Sequence, residues 1–235
     1  MDAPSVVIGF DLETTGPNPH EDRIVTACIG VLDTTKQDGD RWRPQTWLLK
    51  QSAPIPKEAT AVHGVTTGLC NRFGADHDQA VTEIRDLLSA LWAAGQLVAG
   101  HNASFDMTVL DRELARAGQK PLDVGPVFDT LVADKTVDQY RKGSRRLDAC
   151  WALWGTGEAG DLHRADTDAR LAAELVAPLA RRLPAGLDLG GLNRFMAGKY
   201  REQTTGLAQY WSRCGKADQV AGLRYEWPIQ EECVV

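Results

Sequence analysis

The sequence predicts an α/β protein built on a mixed sheet flanked by helices. Two observations carry that expectation. Three apolar runs come first, at 5–13, 23–32 and 42–50, and short polar links join them, as in an antiparallel meander. Two shorter apolar runs, 97–100 and 126–130, then alternate with segments of helical periodicity, which is how parallel strands are added to a sheet.

Each element has its own local signal. SVVIGF leads the first strand, RIVTACIGVL is β-branched and apolar, and WRPQTWLLK follows the turn-prone residues 33–41. Residues 51–66, QSAPIPKEATAVHGVT, carry two prolines and read as an extended loop. Val81, Ile84, Leu87, Leu88 and Leu91 fall at helical spacing, so a helix is expected over 78–94, stopped by Gly95. LVAG at 97–100 is a short buried strand. Ser104 is the expected cap of the next helix, which runs to Ala117 and is closed by Gly118. PVFDT is the expected last strand, and helices follow near 129–138, 145–154 and 164–183. Pro184, Gly186, Gly190 and Gly191 mark a boundary between a domain at 1–185 and a small helical extension at 186–235, packed on it through Tyr200, Tyr210, Trp211 and Trp227.

At 235 residues, with 43% apolar and 25% charged residues, the chain has the composition of a soluble globular protein with a sizeable core. Its net charge of −6 argues against a protein that coats long duplex by charge alone. A short strand held at one site stays compatible with it. The cysteines, Cys28, Cys70, Cys150, Cys214 and Cys233, are odd in number and show no C-x-x-C, as expected of reduced thiols in a cytoplasmic protein without a structural zinc. No signal peptide opens the chain, and no apolar run approaches the ~20 residues that span a membrane.

Acids recur where apolar elements end. Asp11 and Glu13 are two apart on the first strand and therefore share a face. Like charges so close resist burial. Asp106 falls in the first turn after a strand, and Asp168 opens another helix. Taken singly, Asp106 or Asp168 reads more readily as a helix cap or solvated face, and Asp11 with Glu13 equally as a hydrated strand end. Together they suit Mg²⁺ or Mn²⁺, whose charge would relieve the repulsion.

FDLETTG, HNASFD and His163-x4-Asp168, in this order, resemble the three exonuclease motifs of the DnaQ-like 3′–5′ exonucleases. That family includes the epsilon proofreading subunit of bacterial replicative polymerases and RNase T. AVHGVT at 61–66 resembles the epsilon-like loop between the first two motifs, and the likeness spans residues 5–183. The resemblance implies an RNase H-like fold and a metal-dependent hydrolysis of single-stranded or frayed DNA or RNA 3′ ends to nucleoside 5′-monophosphates. It makes Asp11, Glu13, Asp106 and Asp168 the ligands of two divalent cations and His163 the general base. A five-residue step turns about 500° on a helix, so His163 is expected in a loop before the helix. The sister subclass has Tyr four residues before the last acid, where this chain has Arg164; the histidine subclass is the better match.

The resemblance places Thr14, Thr15 and Gly16 beside the terminal nucleotide and makes His63 a candidate lining of its pocket, with an exposed loop histidine as the alternative. Phe105 is either a stacking face for a base or a core residue, and Asn102 would order the loop before Asp106. In RKGSRR, Arg145 and Arg146 are candidate phosphate contacts or members of a solvated turn. His101 is read as structural, and His20 and His77 are given no role. A binding module without chemistry is a rival, but all four acids and the histidine are present. A partner-bound proofreading subunit is the other alternative. GLAQYWSRCGK followed by EWP is similar to the tails of stand-alone actinobacterial exonucleases of this family. Gly206 sits where a sliding-clamp-binding pattern wants an aliphatic residue.

Overall fold

The computed structural model describes residue 1 and residues 3–231. Five strands form one sheet in the order β3-β2-β1-β4-β5. β1 (Val6–Thr14) pairs antiparallel with β2 (Ile24–Asp33), and β2 pairs antiparallel with β3 (Trp42–Leu48). β4 (Val98–Gly100) and β5 (Val127–Asp129) then add in parallel on the other side of β1. This is the mixed sheet the sequence predicts. The cis peptide in the described residues is Trp227–Pro228.

The faces follow from strand alternation. Ile8, Phe10 and Leu12 are buried in the main core, together with Ile84 and Leu88 of α3 (His77–Ala93) and Leu110 and Leu114 of α4 (Ala103–Arg116). Val7, Gly9, Asp11 and Glu13 share the opposite face. There α7 (Ala165–Ala180) crosses β1. A Cβ placed on Gly9 would lie 2.2 Å from the Ala169 carbonyl oxygen, so only glycine admits the helix at this depth.

Glu113, 1% exposed, fastens the far end of α4. Its carboxylate accepts from Arg23 Nε at 2.7 and 2.9 Å and from the Ile24 amide at 3.1 Å, and His77 Nε2 lies 3.2 Å away. Burial pushes this carboxyl up, but the bonds from His77 and Arg23 outweigh it and hold it at about 2. His77, given no role from sequence, is thus half of a structural pair.

Several expectations are corrected. Residues 51–66 are not all loop: α1 (Lys57–His63) lies inside them, entered at Pro56 and closed by Gly64 with φ 75°. The prolines rigidify the entry without extending into KEATAVH, whose alanines and glutamate favour helix. α2 (Thr67–Phe73) follows, with Thr66 as its N-cap. Ser104 does not cap α4; Asn102 holds the N-cap position at φ 67°, and Ser104 is buried inside the helix. α5 (Thr130–Val137) and α6 (Leu147–Trp154) fall where expected. Gly190 and Gly191 do not break the chain. They lie in the first turn of α8 (Leu189–Arg213), where Asp188 accepts the Gly191 amide at 2.8 Å. A short α9 (Ala217–Ala221) follows.

Leu192, Met196 and Trp227 join the main core and Tyr200 packs against it, whereas Tyr210 is 54% exposed and Trp211 half-buried. Cys28, Cys70 and Cys150 are buried free thiols and Cys214 is an exposed one; Cys233 lies outside the described residues. Among the described residues no helix is long and apolar enough to cross a membrane.

Gly9→Ala should destabilise the fold by about 3 kcal/mol, the upper end of overpacking costs, because the obstacle is helix backbone. Gly198→Ala in α8, where a Cβ meets nothing within 4 Å, should instead stabilise by about 0.5–1 kcal/mol. Urea unfolding of both variants checks the pair.

Candidate active site

The depth of α7 at Gly9 explains the site. Asp168 precedes Ala169, the residue resting on Gly9, and Asp11 is the next residue along that face of β1. One carboxylate oxygen from each of Asp11, Glu13 and Asp168 therefore gathers within 4.8 Å of the others. All three side chains are partly buried.

Asp106 arrives from the other side. The parallel ladder with β4 ends at Gly9–Ala99, so the edge of β1 beyond it is free. The Leu12 amide on that edge donates to Asp106 Oδ1 at 3.1 Å. Asp106 is 4% exposed. Asn102 turns the chain into α4 in the left-handed region, and its amide donates to Asp129 Oδ1 at 3.2 Å.

His163 is the other non-glycine residue at positive φ among the described residues, at 62°. Asn and His are among the types that tolerate this region, and such positions gather at functional sites. It lies in the loop before α7, and its amide donates to Asp168 Oδ2 at 3.2 Å. Its Nε2 stands 3.0 Å from Arg146 Nη2. A guanidinium only donates, so as a hydrogen bond this contact requires the tautomer with its lone pair on Nε2.

The acids repel one another. Burial pushes Asp11 well above the usual carboxylate range, and the charges of Asp106, Asp168 and Glu13 add to it. Burial, with Asp129 and Glu13 behind it, also raises Asp106 well above that range, against hydrogen bonds from its own and the Leu12 amide. Burial and then Asp168 push Glu13 up to about 7. Burial lifts Asp168 to about 6, although His163 and Arg146 pull it down. Asp168 Oδ1 is buried without a hydrogen-bond partner. An orphaned oxygen among crowded carboxylates fits a hard divalent cation. Cys28 lies opposite Asp11 across the β1–β2 ladder; burial, Asp11 and Asp166 push its thiol up to about 12.

The remaining candidates divide. Thr14 Oγ1 donates to the Gly16 carbonyl at 2.7 Å, and Thr15 Oγ1 donates to Asp22 at 2.7 Å. A Cβ on Gly16 would lie 2.7 Å from the Asp22 carboxylate, which would have to shift to admit it. His63 sits against the Thr14 backbone, and burial holds its imidazole below the usual range. Phe105 is partly buried and packs on the main core. Arg145 is not brought to the acids. Its guanidinium binds Asp134 Oδ2 at 2.8 Å and the Arg141 carbonyl at 3.0 Å. His101 bridges Thr130 Oγ1 and the Arg145 carbonyl. Sequence reasoning missed the Arg146–His163 contact and the two left-handed residues, for which residue type was the available signal.

The mixed sheet thus carries, at the end of its first strand, a carboxylate cluster that could hold a metal ion. The family model RNase_T, described as Exonuclease, matches residues 8–176, and the chain belongs to that family. It is 29% identical over 171 residues to DNA polymerase III subunit epsilon of Treponema pallidum, covering 71% of this chain and 72% of that protein. It is 25% identical over 168 residues to the PolC-type DNA polymerase III of Ureaplasma parvum serovar 3, covering 71% of this chain but 11% of that one. E. coli exonuclease I in complex with a dT13 oligonucleotide superposes with a TM-score of 0.60 at 19% identity, over 76% of this chain and 42% of that chain. The fold is the RNase H-like one of such exonucleases.

Acids whose folded pKa is raised hold protons that the unfolded chain has released. Metal-free stability should therefore fall as pH rises from the ordinary 3.8–4.5 through about 6 to 7. A cation displaces those protons, so binding strengthens over the same window. The melting-temperature gain on adding Mn²⁺ should be larger at pH 8 than at pH 5. In EDTA at pH 8, Asp168→Asn should melt higher than wild type. Equal Mn²⁺ gains at both pH values would remove these acids from the cation site.

Proposed function

We propose that the protein is a metal-dependent 3′–5′ exonuclease releasing nucleoside 5′-monophosphates from single-stranded or frayed 3′ ends. The observation that supports this reading is the convergence of Asp11, Glu13 and Asp168, with Asp106 on the Leu12 amide and the His163 amide on Asp168. The four acids would hold two divalent cations, Mg²⁺ or Mn²⁺, whose charge would stabilise the oxygens of a phosphoryl displacement. His163 takes the proton of the attacking water at Nε2. Arg146 covers that nitrogen until a substrate phosphate, a stronger acceptor for guanidinium, draws it away. Thr14, Thr15, Gly16 and His63 form the wall beside the terminal nucleotide, and only an unpaired end enters. A proofreading subunit bound to a polymerase is the second reading, favoured by the likeness to the epsilon subunit; co-purification with a polymerase catalytic subunit separates the two.

Oligonucleotides labelled at the 5′ end, as DNA and as RNA, should shorten stepwise with Mg²⁺ or Mn²⁺ and stay intact with EDTA. Ala at Asp11, Glu13, Asp106 or Asp168 should lower the rate roughly a thousandfold, about 4 kcal/mol. His163→Ala should lower kcat by about 10²–10⁴. A folded acid variant that keeps the wild-type rate loses its place in the site.

Arg146→Ala should raise KM by about tenfold, the scale of one charge-assisted bond. It should also flatten the salt dependence of kcat/KM by about 0.7 in log–log slope, as one lost contact to a single strand requires. An unchanged slope removes the phosphate role.

A further inference from the structure

Residues 226–230, EWPIQ, lie beyond the matched region of the family model, yet they end against the helix that carries Asp106. Trp227 is 7% exposed, and its Nε1 donates to Asp129 Oδ2 at 3.1 Å. The other oxygen of that fully buried carboxylate, Oδ1, accepts the amides of Asn102 at 3.2 Å, Leu131 at 3.0 Å and Val132 at 3.3 Å. Trp227 thus completes the shell of the group that fixes the turn into α4. Three residues on, the Gln230 amide donates to Thr108 Oγ1 at 2.9 Å. The Gln230 Nε2 reaches Ser104 Oγ and the Tyr200 hydroxyl, each at 3.3 Å.

Ser104 and Thr108 are four apart in α4 and share one helical face. Asp106 lies midway, about 200° of helical turn from Ser104, and so on the opposite face. The segment bears on the back of the helix directly behind the carboxylate that meets Leu12 on β1.

We infer that residues 226–230 brace the cation site from behind, with Trp227 and Gln230 as positioning residues that hold Asp106 in place. The inference rests on the cation-site reading above. Loss of either bond lets the first turn of α4 shift, and a hard cation with fixed oxygen distances is sensitive to such a shift.

The test uses the full chain. Trp227→Phe keeps an aromatic ring but loses the N–H donor and part of the indole's volume, and Gln230→Ala removes only the side-chain bonds. Tyr210→Ala, on the exposed stretch of α8, is the control. Mn²⁺ affinity is measured by calorimetry and by electron paramagnetic resonance, without substrate. Amide hydrogen exchange of residues 102–108 is followed in the metal-free protein. The brace predicts Mn²⁺ binding weakened by about tenfold in both variants, faster exchange in that segment, and no change in Tyr210→Ala. Should Trp227→Phe fail to fold, Gln230→Ala carries the test alone. Variants that melt lower but bind Mn²⁺ like wild type would overturn the brace and leave the cation site standing. A wild-type chain that binds no Mn²⁺ would overturn both.

Discussion

The contact between the Ala169 carbonyl and the bare backbone of Gly9 governs the molecule. Because no Cβ stands there, α7 lies close enough to β1 for Asp168 to meet Asp11. The other face of the same strand buries Ile8, Phe10 and Leu12. One nine-residue strand is thus anchored by apolar contacts on one side and carries crowded carboxylates on the other. Burying a Leu- or Phe-sized side chain contributes about 1.5–3 kcal/mol, which offsets what the repelling acids cost.

The strands and the principal acids were legible because they depend on local pattern. β-branched runs announce strands, and two acids at a spacing of two share a face whatever surrounds them. The features that were not legible depend on distant partners. Nothing in RKGSRR says that Arg145 meets Asp134 while its neighbour Arg146 meets His163, a choice made by how the turn sits on α5 and α7. The helix at 57–63 is shorter than two full turns, too short for its periodicity to speak over two prolines. Ser104 has the composition of a cap, but Asn102 tolerates the left-handed turn that the fold requires two residues earlier.

α4 shows how a helix is held as a rigid support. Near its start Asp106 takes the Leu12 amide of β1, and two turns later Glu113 takes Arg23 and the Ile24 amide of β2. Asp106 is a buried carboxylate crowded by other acids, whereas Glu113 is buried against cations. The same helix therefore combines a strained end with a satisfied one, and the satisfied end keeps the strained one in register.

Cys28 gives the site a chemical bias. A thiolate beside Asp11 would offer a soft sulfur ligand, and zinc or copper would then compete with harder ions for the position. Burial and the neighbouring acids keep this sulfur protonated far above neutral pH. The cluster that gathers here is one of carboxylate oxygens, from Asp11, Glu13 and Asp168. The crowding that raises the carboxylates thus also raises the neighbouring thiol, and the negative charge of this face of β1 stays on oxygen.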